Sequence, residues 1–146
     1  WYNFIGLCHK NGDIKFVIIG RASEIDERFS RMDNVVFAKD FGTTVEQDMA
    51  LIQAALIFMG GSSGPTAMAM FSDIPYLIFN LKPSPYEDFK KGSNPTYATK
   101  FQKFIWEAET AELIYKEFSE LYKVVDKKGW VEKMNKVDKD LSEFPW

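Results

Sequence analysis

Gly60-Gly61-Ser62-Ser63-Gly64-Pro65 holds the residue types in this chain best suited to gripping an anion. Glycines let a backbone approach a ligand closely and permit positive φ. Two serine hydroxyls add donors, and proline is favoured at the first position of a helix. If a helix follows, its unpaired N–H groups and the positive end of its dipole face the same point, and no lysine is needed. A plainer reading competes, because Ser-Gly-Pro also caps helices. A cap needs one serine, whereas this loop has two, with three glycines.

Other residues could share such a site. Gly20-Arg21 follows an apolar run, and the arginine could grip a diphosphate in fork geometry or pair with Glu24 or Glu27. Lys39-Asp40-Phe41-Gly42-Thr43-Thr44 offers an aromatic ring and open backbone to flank a base, or Phe41 folds back on the domain. Gln47 and Asp48 open the next helix and either face the same crevice or serve as ordinary polar first-turn residues. Asn80 could hydrogen-bond a sugar hydroxyl or simply make a turn. Asp40, Glu46 and Asp48 are the carboxylates placed for acid/base work. His9, the only histidine, reads as structural. Metal-ligand spacings, nucleophile elbows, Walker A and GxGxxG patterns are absent, so neither a metal nor a cofactor is expected.

These loops work together only if strands bring them to one edge. Four continuous apolar runs, 16–19, 35–38, 56–59 and 76–79, read as strands buried on both faces of a parallel sheet. They start at roughly twenty-residue intervals, room for a strand, two turns and a short helix. Residues 25–29 suggest a brief helix. Thr44 and Gln47 have the capping-box spacing, and Met49, Leu51 and Ile52 supply the buried face of the helix after them. Pro65 opens another helix through Met70. Residues 81–100, with Pro83, Pro85, Gly92 and Pro95, form a long loop of the kind that is usually functional or disordered. Ala111, Ile114, Phe118, Leu121 and Val125 keep helical spacing, as do Trp130, Met134, Val137 and Leu141 after a break at 126–129. The expected fold is α/β, a doubly wound Rossmann-like parallel sheet with C-terminal amphipathic helices. Residues 1–126 form the α/β domain and 127–146 a C-terminal helix. In such sheets ligands sit outside the carboxyl ends of the strands, where all of these loops lie.

The bulk properties narrow the classes. The chain has 146 residues, 46% of them hydrophobic, enough for one compact core. A net charge of −3 gives no general attraction to nucleic acid. One cysteine, Cys8, excludes an internal disulfide and suits a reducing, cytoplasmic setting. No apolar stretch approaches the ~20 residues of a membrane span. The apolar start, Trp1-Tyr2-Asn3-Phe4-Ile5 without a methionine, reads either as a cut within an element of a longer polypeptide or as an ordinary trimmed boundary.

Residues 34–80 (NVVFAKDFGTTVEQDMALIQAALIFMGGSSGPTAMAMFSDIPYLIFN) resemble the donor-binding half of glycosyltransferases of the GT-B fold. The likeness is greatest to bacterial enzymes of surface-polysaccharide assembly and looser to heptosyltransferases and fucosyltransferases. The shared pattern is a strand, a Gly/Ser-rich loop with Ser-Gly-Pro, a helix, then Asp73-Ile74-Pro75 and an apolar strand. Phe104-Ile105-Trp106-Glu107-Ala108-Glu109-Thr110 before a helix is also similar. Heptosyltransferases carry an acidic residue and a histidine around the loop, where Gly61 and Ala67 stand here. Loops of this type also occur in sugar-nucleotide epimerases.

The resemblance implies donor binding for a transferase that moves a sugar to a glycan or lipid-linked acceptor. Gly61, Ser62, Ser63 and Gly64, with Arg21, would hold the donor diphosphate. Lys39, Phe41, Thr44 and Gln47 would lie near the base and ribose, and Asn80 near the sugar. The partners implied are a nucleotide diphosphate sugar and an N-terminal acceptor domain of the same polypeptide, which would carry the catalytic base. Phe144-Pro145-Trp146 and the last helix would pack toward that domain. The parent protein would be cytoplasmic, with room for peripheral attachment to the inner face of the membrane. An epimerase or hydrolase of the same fold, and a non-catalytic nucleotide-binding module, are the alternatives.

Overall fold

The structure, a computed structural model, describes residues 1–11, 14–83, 86 and 89–132. It is a mixed α/β arrangement with two small parallel sheets. Helix α1 (Tyr2–Asn11) leads to strand β1 (Phe16–Ile18), two 3-10 turns (Ala22–Glu24 and Glu27–Arg31) and β2 (Val35–Phe37). A 3-10 turn (Ala38–Phe41) then leads to α2 (Val45–Ala54), β3 (Phe58–Gly60), α3 (Gly64–Met70), β4 (Tyr76–Phe79), β5 (Gln102–Ile105) and α4 (Ala111–Val124).

β1 and β2 pair in parallel, with Phe16 beside Val35 and Ile18 beside Phe37. β3, β4 and β5 form the second sheet, also parallel, with β4 in the middle. Three of the four apolar runs contain a strand and the run 56–59 overlaps β3 only at Phe58 and Met59, but a single continuous sheet does not form: β1–β2 and β3–β4–β5 are separate ladders. β4 explains its own composition. Tyr76, Leu77, Ile78 and Phe79 are all buried, because helices cover both faces. Leu77 and Phe79 pack with Phe4, Ile5 and Cys8 of α1 and with Ile114, Phe118 and Leu121 of α4. Tyr76 and Ile78 face the other way, onto Ile52, Phe58, Ala69 and Met70. Burying a side chain of that size is worth about 1.5–3 kcal/mol.

α1 rests on both sheets. Its Phe4 ring meets Phe16 of β1 edge-on at 5.6 Å and Phe118 of α4 at 5.3 Å. Trp1, at its start, meets Phe79 at the carboxyl end of β4, again edge-on at 5.6 Å. Trp1 also lines a cavity with Ile18, Ile19 and Gly20 at the carboxyl end of β1. The carboxyl ends of both sheets therefore lie on the same side.

Several local expectations change. Residues 25–29 give a 3-10 turn rather than a short α-helix, with Asp26 as N-cap accepting from the Arg28 N–H. On α2, Ile52 is buried but Met49 is 44% exposed. β5 lies in a stretch without a continuous apolar run. Its Gln102 is buried because it is fully satisfied: it donates to Ser72 and Ile74 carbonyls and accepts from the Thr99 N–H. The break after α4 is confined to residues 125–126, and a helical stretch resumes over 127–132. Within it the Trp130 indole donates to the Ala54 carbonyl at the end of α2, 2.8 Å away. Met134, Val137, Leu141 and Phe144-Pro145-Trp146 lie outside the described residues. None of the described residues forms a helix long and apolar enough to cross a membrane.

Candidate functional site

Five connections leave the carboxyl ends of the strands, and they differ in how much of their polarity is already used.

The connection after β3 uses the least. Its backbone enters α3 at Gly64, with Pro65 in the first turn and Ser63 at the N-cap. Ser63 makes no side-chain capping bond; its hydroxyl instead lies 3.1 Å from that of Thr66. Thr66 is buried and donates to the Gly61 carbonyl, which fixes the bend of the loop from beneath. Ser62 is exposed, and its hydroxyl has no partner among the described residues. Plain capping by the serines is therefore not what this loop does; a threonine inside the helix holds its shape instead.

One neighbour was not legible in the sequence. Glu109, before α4, brings its carboxylate against the loop: a Cβ at Gly61 would lie 3.0 Å from Oε1. Glycine at 61 leaves that carboxylate its room. The other oxygen, Oε2, accepts a 2.5 Å hydrogen bond from the Trp1 indole. Glu109 lies 48 residues from Gly61 along the chain, so no local pattern joins the two. The only hint was its place in the stretch just before the α4 helix.

The connection after β2 is the most self-satisfied. The Lys39 ammonium sits 2.8 Å from Asp48 Oδ2 and donates to the Thr43 carbonyl at 2.6 Å and the Thr43 hydroxyl at 3.1 Å. The Thr43 hydroxyl in turn donates to Asp48 Oδ1 at 2.7 Å. Asp48 is only 8% exposed. Burial pushes its pKa up, but the hydrogen bonds from Lys39 and Thr43 and the Lys39 charge outweigh that, and the carboxyl sits below its ordinary value. Thr44 and Gln47 close a complete capping box on α2, at 3.3 and 2.8 Å. Phe41 does not fold back; it stands 78% exposed.

Arg21, after β1, lies on a cavity of about 450 Å³ whose wall includes Trp1, Tyr2, Ile19 and Phe29. Its guanidinium is largely exposed and 3.9 Å from Glu24. Trp1 lines this cavity and also donates to Glu109, the neighbour of Gly61. Nearby, Arg28 clasps Asp26, and the hydrogen bonds from Arg28 hold that carboxyl at a pKa of about 2. After β4, Asn80 adopts φ 50°, the only non-glycine positive φ among the described residues, and its side chain is exposed. Asparagine tolerates this left-handed conformation better than most residues. After β5, the Trp106 indole donates to the Ser93 carbonyl at 2.9 Å and ties the long loop to the sheet.

The arrangement therefore joins a glycine-serine turn with an open Ser62 hydroxyl, a carboxylate beside it, and exposed Asn80 and Arg21 after the carboxyl ends of β4 and β1. Among the described residues, no three His, Cys, Asp or Glu side chains converge as a metal site. Comparison with protein-family models, with curated proteins and with solved structures finds no match to this chain.

Proposed function

We propose that this chain is the donor-binding half of a GT-B glycosyltransferase, built on a doubly wound Rossmann-like sheet and gripping a nucleotide diphosphate sugar at the strand ends. The observation that carries the reading is the β3–α3 connection. Its Ser62 hydroxyl is free among the described residues, its Ser63 hydroxyl turns onto Thr66 rather than capping the helix, and Thr66 holds the bend of the loop at the Gly61 carbonyl. The diphosphate contacts Gly61, Ser62, Ser63 and Gly64, and hydrogen bonds to the departing diphosphate lower the barrier to sugar transfer. Glu109 repels phosphate but suits hydroxyls, so it accepts from a ribose or sugar hydroxyl, and Asn80 supplies a second polar contact. Phe41 stacks on the base from its exposed position. Arg21 swings from Glu24 toward the diphosphate, a small loss because an exposed pair is worth about 0–1 kcal/mol. The acceptor site and catalytic base belong to an N-terminal domain of the parent polypeptide.

Calorimetric titration with UDP, GDP, ADP and CMP tests this. One nucleoside diphosphate should bind, and Ser62→Ala with Ser63→Ala should weaken it at least tenfold. Failure of all four to bind would remove the proposal.

A further inference from the structure

At the carboxyl end of β1 the cavity of about 450 Å³ lies within the ~300–1,000 Å³ span of small-molecule sites. Three rings line it, from Trp1, Tyr2 and Phe29, and Ile18, Ile19 and Ile25 add aliphatic wall. All six side chains are half-buried, so part of their apolar surface meets water instead of the core. Gly20 leaves β1 at φ 119°, a conformation that a side chain would strain, with nothing within 4 Å of where a Cβ would stand.

One wall is fixed in advance. Arg28 grips Asp26 with two nitrogens, Nε to Oδ1 at 3.0 Å and Nη2 to Oδ2 at 2.5 Å, and Asp26 Oδ1 also accepts from the Arg28 backbone N–H at 3.0 Å. The guanidinium so held lies 5.0 Å from the centre of the Tyr2 ring, and the Phe29 ring lies 5.9 Å from that of Tyr2. Side chains already held in place lose little freedom when a ligand arrives. Charge around the rim is balanced as well. Arg28 faces Asp26, and Arg21 stands 3.9 Å from Glu24. Two cationic and two anionic side chains line this cavity, so an ionic ligand finds no net opposite charge among them to draw it in.

These features favour one class of ligand. A flat base stacks best between parallel faces, but the Tyr2 and Phe29 rings are tilted by 54°. A pyranose is puckered: its C–H face can lie on a single ring, and each of its hydroxyls both donates and accepts. Carboxylates that only accept and guanidinium groups that only donate, set around one rim, satisfy both halves of a hydroxyl. We propose that the cavity after β1 binds one neutral sugar unit of a glycan, with its C–H face against Trp1 and Tyr2 and its hydroxyls shared between Glu24 and the Asp26–Arg28 pair. The reacting hydroxyl stays with the N-terminal domain proposed above, and this unit lies elsewhere on the same glycan. Trp1 also donates to Glu109 beside Gly61, so one side chain borders both the cavity and the carboxylate next to the donor loop. The inference goes beyond the donor site and does not depend on a nucleotide.

Amide and indole NMR resonances of the intact chain test it. Cellobiose, maltose, lactose and N,N′-diacetylchitobiose are titrated in turn. One of them should bind with a Kd of about 1 mM or tighter and shift Gly20, Arg21, Ile25 and the Trp1 indole N–H. Its affinity should change less than about twofold between low and high salt. Tyr2→Ala, which removes a ring from the wall, should weaken it about tenfold. Silence of these resonances toward all four disaccharides overturns the proposal. So does a response to benzoate or to uridine with none to the disaccharides, which would make the occupant an anion or a base. Undiminished affinity in Tyr2→Ala would place the sugar elsewhere and overturn it too. Nucleotide binding is read at residues 61–64, and Arg21, the one rim charge that the donor proposal uses, is left unchanged. Either proposal can therefore fail while the other stands.

Discussion

The connections after β2 and β3 both leave the same side of the molecule, yet they treat their polar groups in opposite ways. After β2, one lysine, one threonine and one aspartate close on one another, and Thr44 and Gln47 close on the α2 backbone. After β3, the buried Thr66 shapes the turn and the Ser62 hydroxyl stays free. The first loop stores its polarity as stability. The second leaves the Ser62 hydroxyl free, as the proposed diphosphate site requires. Residues that sit at a strand end are thus not equivalent, and the internal partners of each decide its role.

The contrast is broken most directly by Asp48→Ala. It strands the Lys39 ammonium in a largely buried place and should cost about 3 kcal/mol in denaturant unfolding. The Ser62→Ala, Ser63→Ala double variant, which loses only the Ser63–Thr66 hydroxyl contact, should cost about 1 kcal/mol or less. A comparable loss in both would show that the serines are structural.

In binding the ranking reverses. The serine double variant loses two hydrogen bonds of about 1 kcal/mol each to a diphosphate, roughly a thirtyfold weakening by calorimetry. Asp48→Ala, assayed where it remains folded, should shift affinity less than threefold.

Two glycines sharpen the point. Gly42 ends the 3-10 turn after β2 at φ 68° with open space around it, so Gly42→Ala strains only the backbone, by about 1 kcal/mol of stability, and leaves binding alone. Gly61→Ala pushes a methyl against Glu109 and should weaken nucleotide binding several-fold with a smaller effect on unfolding.

The gentlest probe is pH. The folded state holds the Asp48 carboxyl below its ordinary value of 3.8, so it binds that proton less readily than the unfolded chain does. The resulting stability is present above about pH 4 and is lost as pH falls through the lower folded value. Unfolding followed from pH 6 to pH 3 should show this decline, and Asp48→Asn should flatten that part of it.

The capping box on α2, Pro65 at the start of α3 and the buried periodicity of α4 were legible because each is a local pattern. β5 was not, because its buried Gln102 and exposed Lys103 break the apolar run, and only the distant carbonyls of Ser72 and Ile74 make burial of Gln102 tolerable. The candidate loop was legible as glycine and serine. That Thr66 holds it, and that Glu109 stands beside it, are facts of tertiary contact alone. The same holds for Lys39 and Asp48, whose nine-residue separation spans a turn and a helix start.

Trp1 also makes the site visible from outside. Its indole N–H is bonded to the very carboxylate that abuts Gly61, and its ring sits edge-on to Phe79. Indole emission responds to a nearby charge, so a guest that draws Glu109 away from Trp1 changes the fluorescence of that residue. Trp106 and Trp130, each bonded to a backbone carbonyl elsewhere, contribute a steady background. A guest bound as proposed should therefore be readable by intrinsic fluorescence without a label, and the signal should be lost in Trp1→Phe.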